Sequence, residues 1–103
     1  MRTLRLSETF NDQRNELLDY GESRFGTVVT ERKKTTAYDT IERYVLRHPE
    51  AMRSTTDFGL RISPVTRTPF VVLYDFDDAK VRIHFIVHGS ANWSVLDPKS
   101  TRW

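Results

Sequence analysis

The segment from Phe58 to Gly89 constrains the fold of this chain more than any other part of the sequence. It contains three runs with strand character: Phe58–Ser63 alternates apolar and polar residues, Phe70–Tyr74 is apolar throughout, and Lys80–His88 alternates again. A run that is apolar on both faces is typical of a central strand. The connecting sequences are typical of turns: Pro64–Pro69 and Asp77–Ala79. The pattern therefore predicts an antiparallel three-stranded meander.

The alternation also predicts which side chains share a face of the sheet, because successive residues of a strand point to opposite faces. In the third run one face is predicted to be apolar: Val81, Ile83, Phe85 and Val87. The other face would carry the remaining residues: Lys80, Arg82, His84, Ile86 and His88. In the first run Arg61 is predicted to lie opposite its apolar neighbours. We therefore expect Arg61, Arg82 and His84 on one open face, where a partner would bind.

The N-terminal half has a helical pattern after one short strand, Thr3–Leu6. Ser7 is a helix cap for a first helix that ends at Gly26, and a second helix is predicted from about Val28 to about Arg47. The short connection makes the two helices an antiparallel hairpin. The fold class is therefore α+β, in the order β-α-α-β-β-β, with the hairpin packed on one face of an antiparallel sheet.

The length of 103 residues predicts a single domain, residues 1–103. Its parts would be a helix hairpin at about 8–48, the meander at about 58–89 and a C-terminal tail at 90–103. Six Phe, four Tyr and two Trp are enough for one core. Neither a signal peptide nor a membrane span is evident, so we expect a cytoplasmic protein.

The composition excludes several kinds of chemistry. The chain has no cysteine, which excludes disulfides, thiolate zinc sites and a cysteine nucleophile. A net charge of +2 is too small to argue for nucleic acid by itself. Asp75, Asp77 and Asp78 are typical of a hairpin turn and lack the spacing of a calcium loop. No nucleophile–base pair or phosphate loop is recognisable in the sequence, and we expect no cofactor and no metal.

Five pieces of the sequence, in this order, carry a family resemblance: Leu18–Gly26, Arg47–Glu50, Gly59–Arg61, Phe70–Tyr74 and Val81–Gly89. Together they resemble the ParE/RelE superfamily of type II toxin–antitoxin toxins over nearly the whole chain. The resemblance implies one of two activities. ParE-like members poison DNA gyrase, whereas RelE-like members cut messenger RNA in the ribosome. Members of both kinds are neutralised by an antitoxin that wraps the toxin.

Two positions bear on the choice between these activities. The resemblance places arginines of the RNase branch on Val71 and Ala91, which carry no charge here. Loss of one preorganised charge can lower a rate by about 10²–10³. This favours a ParE-like gyrase inhibitor that acts by binding, without catalysis of its own. The alternatives are a RelE-like, ribosome-dependent endonuclease and a degenerate toxin that only binds its antitoxin. The endonuclease would use a substitute cationic set: Arg61, Arg82, His84 and His88.

The resemblance and the predicted faces together suggest partner-binding residues. The expected partners are a ParD-like antitoxin, in a hetero-oligomer, and DNA gyrase, or in the alternative the ribosome and messenger RNA. Candidates for target binding are Arg61, Arg82, His84, Trp93 and Trp103. Candidates for antitoxin binding are Leu17, Tyr20, Phe25, Ile41, Tyr44 and Arg61.

Structural roles compete with these functional ones. His88 is expected to bond backbone at the end of its strand, and His84 could equally contact phosphate, solvent or antitoxin. Arg61 could pair with a neighbouring carboxylate instead of a partner. Trp93 is expected to be mainly structural and Trp103 mainly exposed, where a free tail would let it reach a target.

Overall fold

The computed structural model describes residues 2–25, 39–51, 56–65 and 68–103, and of residues 17–25 it describes only the backbone. The strands are β1 (Thr3–Leu6), β2 (Arg61–Pro64), β3 (Phe70–Phe76) and β4 (Lys80–His88), and α1 spans Glu8–Phe25. Shorter helical turns are π-helical (Ile41–Val45) or 3₁₀ (Pro49–Ala51, Trp93–Val95 and Pro98–Ser100). The predicted second helix lies largely outside the described residues, and its described end is the π-helical turn.

The four strands form one sheet in the order β1-β4-β3-β2. Strands β2, β3 and β4 are antiparallel, so the predicted meander is confirmed, although β2 begins at Arg61 and not at Phe58 as predicted. Strand β1 instead runs parallel to β4, with Thr3 beside Lys80 and Leu6 beside Ile83. The sheet is therefore mixed, not purely antiparallel as predicted. A parallel pair needs a long crossover connection, which α1 and the rest of the intervening chain supply.

The face of the sheet that α1 covers holds the larger core cluster, and we call it the helix face. Phe10 of α1 and Ile41 of the π-helical turn are both fully buried there. The strands contribute mainly β-branched and aromatic residues to this cluster: Val72, Tyr74, Val81, Ile83 and Ile86. Burial of this many large apolar side chains is the main favourable term that holds helix and sheet together.

The opposite face, which we call the tail face, carries a second buried cluster: Leu60, Ile62, Leu73 and Phe85. Trp93 and Leu96, from the segment after β4, pack against it. The expectation of an open face is therefore wrong over this part of the sheet. The physical reason is that these four side chains would otherwise expose a large apolar area, and the C-terminal segment buries it.

A β-bulge at His84 divides β4 into two parts, and the alternation of side chains between the two faces of the sheet is inverted from one part to the other. Tyr74 pairs with Ile83 but the preceding Leu73 pairs with Phe85, so His84 is an extra residue in β4. Because one extra residue inverts the alternation, Ile86 lies on the helix face while Phe85 lies on the tail face. The predicted assignment of Phe85 and Val87 to the face of Val81, and of Ile86 to the opposite face, is corrected accordingly.

Two polar side chains of the helical layer satisfy the backbone of β4 around the bulge. The Ser7 hydroxyl donates to the carbonyl oxygen of His84 at 2.8 Å and accepts from the backbone N–H of Phe10 at 2.8 Å. The Ser7 cap predicted from the sequence is therefore confirmed. The Gln13 side-chain oxygen accepts from the backbone N–H of Ile86 at 2.9 Å. Backbone groups that the bulge removes from the ladder are in this way bonded to the helix.

The end of the chain returns to the start of α1. The carbonyl oxygen of Arg102 accepts from the backbone N–H groups of Glu8 and Thr9 at 2.7 and 3.3 Å, two donors that a helix leaves unpaired at its N-terminus. The backbone N–H of Arg102 donates to the Thr9 hydroxyl at 2.8 Å, and its guanidinium pairs with Asp12. The tail is therefore attached to the fold, and the expectation that it would be free is wrong.

Candidate functional site

The polar centre of the tail face is a network around Asp75. Arg82 lies directly across the β3–β4 ladder and donates from Nε to Asp75 Oδ1 at 2.7 Å. The Arg82 Nη1 atom also donates to Asp77 Oδ2 at 2.8 Å. Nε2 of His84 lies 3.2 Å from Asp75 Oδ2, within ion-pair distance although not aligned as a hydrogen bond. One carboxylate therefore holds both predicted cationic residues.

The charges of this network shift the pKa values of both carboxylates. Burial would raise the pKa of Asp75, but the close contact with His84, the hydrogen bond from Arg82 and the charges of both side chains outweigh burial and lower it below its usual value. The hydrogen bond from Arg82, together with the backbone N–H groups of Lys80 and Ala79, lowers the pKa of Asp77 to about 2. Asp77 Oδ1 caps the turn by accepting from both of these N–H groups at 2.8 Å. This confirms the predicted hairpin turn.

The imidazole of His84 joins this network to the C-terminal segment. Its Nδ1 atom lies 2.7 Å from the Thr101 hydroxyl, and its ring meets the Trp103 ring edge-on with centroids 4.8 Å apart. The guanidinium of Arg5 lies 4.9 Å from the centroid of the same Trp103 ring. His84 is only 4% exposed, whereas Trp103 is 39% exposed. Trp103 and the exposed Arg5 are therefore the parts of this group that a macromolecule can reach.

Arg61 lies on the helix face and does not share a face with Arg82. It pairs across the ladder with Tyr74, a residue of the helix-face core, and its guanidinium lies 5.0 Å from the centroid of the Phe76 ring. Its Nη1 atom donates to the carbonyl oxygen of Glu50 at 3.2 Å. The expectation that Arg61 joins Arg82 and His84 on one face is wrong because Arg61 and Tyr74 are cross-strand neighbours, whose side chains point the same way.

His88 has the structural role expected for it. Its Nδ1 atom accepts from the backbone N–H of Ser90 at 3.1 Å and lies 2.7 Å from the Ser90 hydroxyl. It pairs with Phe70, which packs against the helix-face core, and the two rings meet edge-on. The histidine thus stabilises the turn that follows β4.

The four residues of the endonuclease alternative are therefore separated by the sheet. Arg82 and His84 lie on the tail face, whereas Arg61 and His88 lie on the helix face. Cationic groups that act on one phosphate must converge on it, and these four do not.

The residues predicted to contact the antitoxin fall into four groups. Tyr44 is 55% exposed, whereas Ile41 is fully buried in the core and offers no surface to a partner in this structure. The side chains of Leu17, Tyr20 and Phe25 lie outside the described residues. The remaining one, Arg61, is the half-buried residue on the helix face.

Trp93 is half-buried against the tail-face cluster, and its indole N–H donates to the carbonyl oxygen of Gly89 at 3.1 Å, which suits the structural role expected for it.

Several important residues were not singled out from the sequence. The sequence indicates Asp75 as part of a turn, and it does not single out Thr101, Arg5 or Tyr74. Tyr74 is buried, donates to the carbonyl oxygen of Pro49 at 2.7 Å, and has its pKa raised to about 12 by burial. Asp75 could have been found by pairing the predicted strands β3 and β4 in antiparallel register, because that pairing places Asp75 opposite Arg82.

Comparison of the sequence with protein-family models and with curated proteins yields no match. Comparison of the structure with solved structures does yield matches. A chain from the chromosomal ParDE TA system of P. aeruginosa matches with a TM-score of 0.72 at 13% sequence identity, over 85% of this chain and 96% of that one. At this level of identity the likeness shows that the two chains share a fold. In the part of the chain that the structure describes, none of the helices combines the length and the apolar character that a membrane span requires.

Proposed function

We propose that this chain is the toxin of a type II toxin–antitoxin module, and that it is a ParE-like toxin inhibiting DNA gyrase by binding. The observation that carries the proposal is the fold shared with a chain of a ParDE toxin–antitoxin system over most of both chains. A ParD-like antitoxin would neutralise the toxin in a hetero-oligomer in the cytoplasm. Neither cofactor nor metal takes part in this mechanism.

Binding without catalysis is supported by the contacts that the polar residues of the tail face already make within the chain. Arg82 is already held by two carboxylates, and His84 is buried between Asp75 and Thr101. A general acid or base must reach the proton that it transfers, and a buried imidazole with both nitrogens near protein atoms is poorly placed for that. The uncharged Val71 and Ala91 point the same way.

The tail face supplies the surface that we assign to the target. Trp103 is half-exposed and lies beside the Arg5 guanidinium, and tryptophan and arginine are the residues most enriched at binding hot spots. His84 would hold the C-terminal segment in place, and Arg82 would hold strand β3. Trp93 would support the same surface by packing against the tail-face cluster. In this mechanism the toxin stabilises the cleaved gyrase–DNA complex.

Assays of gyrase supercoiling and DNA cleavage with the purified chain test the proposal directly. We expect inhibited supercoiling and accumulated cleaved DNA, both weakened about tenfold or more by Trp103→Ala. Lys99→Ala, an exposed change in the same segment, is the matched control. No effect of the wild-type chain at saturating concentration would exclude gyrase as the target.

Two further experiments separate the alternatives. In vitro translation followed by primer extension would reveal discrete cuts in the translated message if the chain were an endonuclease. Induced expression without antitoxin would leave growth unaffected if the chain were a degenerate toxin. We expect no cuts in the first experiment and arrested growth in the second.

A further inference from the structure

The turn that follows β4 brings a serine hydroxyl against an imidazole, outside the tail-face site. The Ser90 Oγ atom lies 2.7 Å from Nδ1 of His88, and both residues are exposed. A hydroxyl within hydrogen-bond reach of an imidazole nitrogen is the arrangement by which proteins activate a serine as a nucleophile. The proposed binding of gyrase does not use this pair.

The backbone fixes the direction of the hydrogen bond between the two side chains. The N–H of Ser90 donates to Nδ1 of His88 at 3.1 Å, and an N–H can donate only to a nitrogen that carries a lone pair. Nδ1 is therefore the basic nitrogen of the ring, and the ring proton is on Nε2. The Ser90 hydroxyl then donates to Nδ1 as well, which is the geometry of a nucleophile and its general base.

The turn holds the two side chains in this relation. The N–H of Gly89 donates to the carbonyl oxygen of Pro69 at 2.7 Å, and that of Ala91 donates to the carbonyl oxygen of His88 at 2.9 Å. The Phe70 ring meets the imidazole edge-on, with the centroids 6.2 Å apart. The pair is therefore positioned before any reagent arrives, and a prepositioned pair loses little entropy when it reacts.

Two other serines of the C-terminal segment show what is different about Ser90. The Ser94 hydroxyl donates to the side-chain oxygen of Asn92, and the Ser100 hydroxyl donates to the carbonyl oxygen of Asp97. Amide oxygens accept hydrogen bonds but do not take up a proton near neutral pH, so neither serine has a base beside it. Both therefore serve as references for an unactivated hydroxyl.

His88 also differs from the other imidazole that contacts a hydroxyl. Nδ1 of His84 lies 2.7 Å from the Thr101 hydroxyl, but that ring is buried and its Nε2 faces Asp75. His88 is exposed, and within the described part of the chain its Nε2 makes no hydrogen bond or ion pair. A proton accepted at Nδ1 of His88 can therefore leave to water from Nε2.

We propose that Ser90 is a modification site that accepts acyl groups from activated acyl donors, with His88 as its general base. The Ser90 oxygen forms a bond to the acyl carbon as the bond from that carbon to the leaving group breaks, and the hydroxyl proton passes to Nδ1 of His88. Removal of this proton is the assistance that acyl transfer to an alcohol requires. Phosphoryl transfer instead needs cationic groups around the phosphate, and the sequence from Ile86 to Pro98 contains neither Lys nor Arg.

Site-resolved acetylation of the full chain tests this proposal and needs neither gyrase nor antitoxin. The chain is treated with p-nitrophenyl acetate at neutral pH, and peptide mapping by mass spectrometry follows the acetylation of each serine over time. Ser94 and Ser100 in the same sample are the internal references. We expect Ser90 to be acetylated at least about tenfold faster than either of them. Equal rates at the three serines would overturn the proposal.

Two variants distinguish the base from the turn that carries it. His88→Asn removes the base but keeps a side-chain acceptor for the Ser90 N–H, so acetylation of Ser90 should slow about tenfold while that of Ser100 is unchanged. His48→Asn removes an exposed imidazole elsewhere and should leave both rates unaltered. Circular dichroism verifies that both variants are folded. A second readout uses the wild-type chain, in which acetylation of Ser90 should be slower in D₂O than in H₂O. An unchanged rate with His88→Asn, or the same rate in both solvents, would contradict general-base activation.

Discussion

The hydroxyl of Ser7 lies 2.8 Å from the carbonyl oxygen of His84, and this buried hydrogen bond joins the cap of α1 to the bulge of β4. The same hydroxyl accepts the N–H of Phe10, so one side chain serves both the helix and the sheet. The side chain of His84 then reaches Thr101 in the C-terminal segment. Helix, sheet and tail therefore meet at a single irregular residue.

The first prediction concerns this shared hydroxyl. Ser7→Ala should lower the free energy of unfolding by about 1–3 kcal/mol, because it removes a helix cap and leaves a buried carbonyl group without its partner. Urea denaturation monitored by circular dichroism measures the change. Ser90→Ala, which removes an exposed hydroxyl bonded to His88 in the turn after β4, is the control and should lose less stability because water can replace that bond. If both variants lost the same stability, the role assigned to Ser7 would be incorrect.

The second prediction concerns the attachment of the tail. Thr101→Val keeps the shape of the side chain but removes the hydroxyl that contacts Nδ1 of His84, which would leave a buried nitrogen unsatisfied. We expect a loss of about 1–3 kcal/mol in unfolding free energy, together with a change in tryptophan fluorescence as Trp103 shifts. Thr3→Val, on an exposed strand position, should have a much smaller effect. An unchanged fluorescence spectrum would show that Thr101 does not hold the tail.

The third prediction concerns the loss of folding stability at acidic pH. The pKa of Asp75 is lower in the folded chain than the value of about 3.9 for an unfolded aspartate. At pH values between these two pKa values the unfolded state therefore binds more protons than the folded state. Stability from Asp75 is then complete above the unfolded value and is lost as the pH falls through the folded value. Denaturation measured across acidic pH should show this loss, and Asp75→Asn should make the dependence shallower.

A direct titration accompanies that experiment. Carboxyl NMR signals should show Asp77 with a pKa of about 2, held low chiefly by Arg82. Arg82→Ala should move it back toward its ordinary value. A normal pKa for Asp77 in the wild-type chain would contradict the ion pair.

The fourth prediction separates core from surface in the π-helical turn. Ile41→Ala should lower the free energy of unfolding by about 2–5 kcal/mol, because it opens a cavity in the helix-face core. Tyr44→Ala should change it by no more than about 0.5 kcal/mol. Thermal and urea denaturation of both variants measure the difference. Equal losses would mean that the two side chains are not buried and exposed as described.

Much of the secondary structure could be read from local pattern. The strand at Lys80–His88, the apolar run at Phe70 and the cap at Ser7 are features of a few neighbouring residues, and the structure confirms each of them. The turn at Asp77 was also predictable, because an aspartate side chain caps its own turn. The sequence also contained one hint of the bulge, since Ile86 is an apolar residue at a position predicted to be polar.

The composition of the faces was not predictable in the same way. The alternation of β4 alone cannot reveal an extra residue, because the bulge exists through bonds from Ser7 and Gln13, more than seventy positions away. The same bulge moves Phe85 to the tail face, and the pairing of β2 with β3 places Arg61 beside Tyr74 on the helix face. Strand periodicity predicts which residues alternate, but not which strand lies opposite.

The sequence by itself determined the strands of the meander, the start of α1 and the absence of cysteine chemistry, because each depends on residue type and short spacing. Only the tertiary structure decided that Arg82 and His84 share one carboxylate, that Arg61 is on the other face, and that the tail covers the sheet. The reason is physical. Burial and charge pairing are properties of groups brought together from distant parts of the chain, and they exist only after those parts have packed.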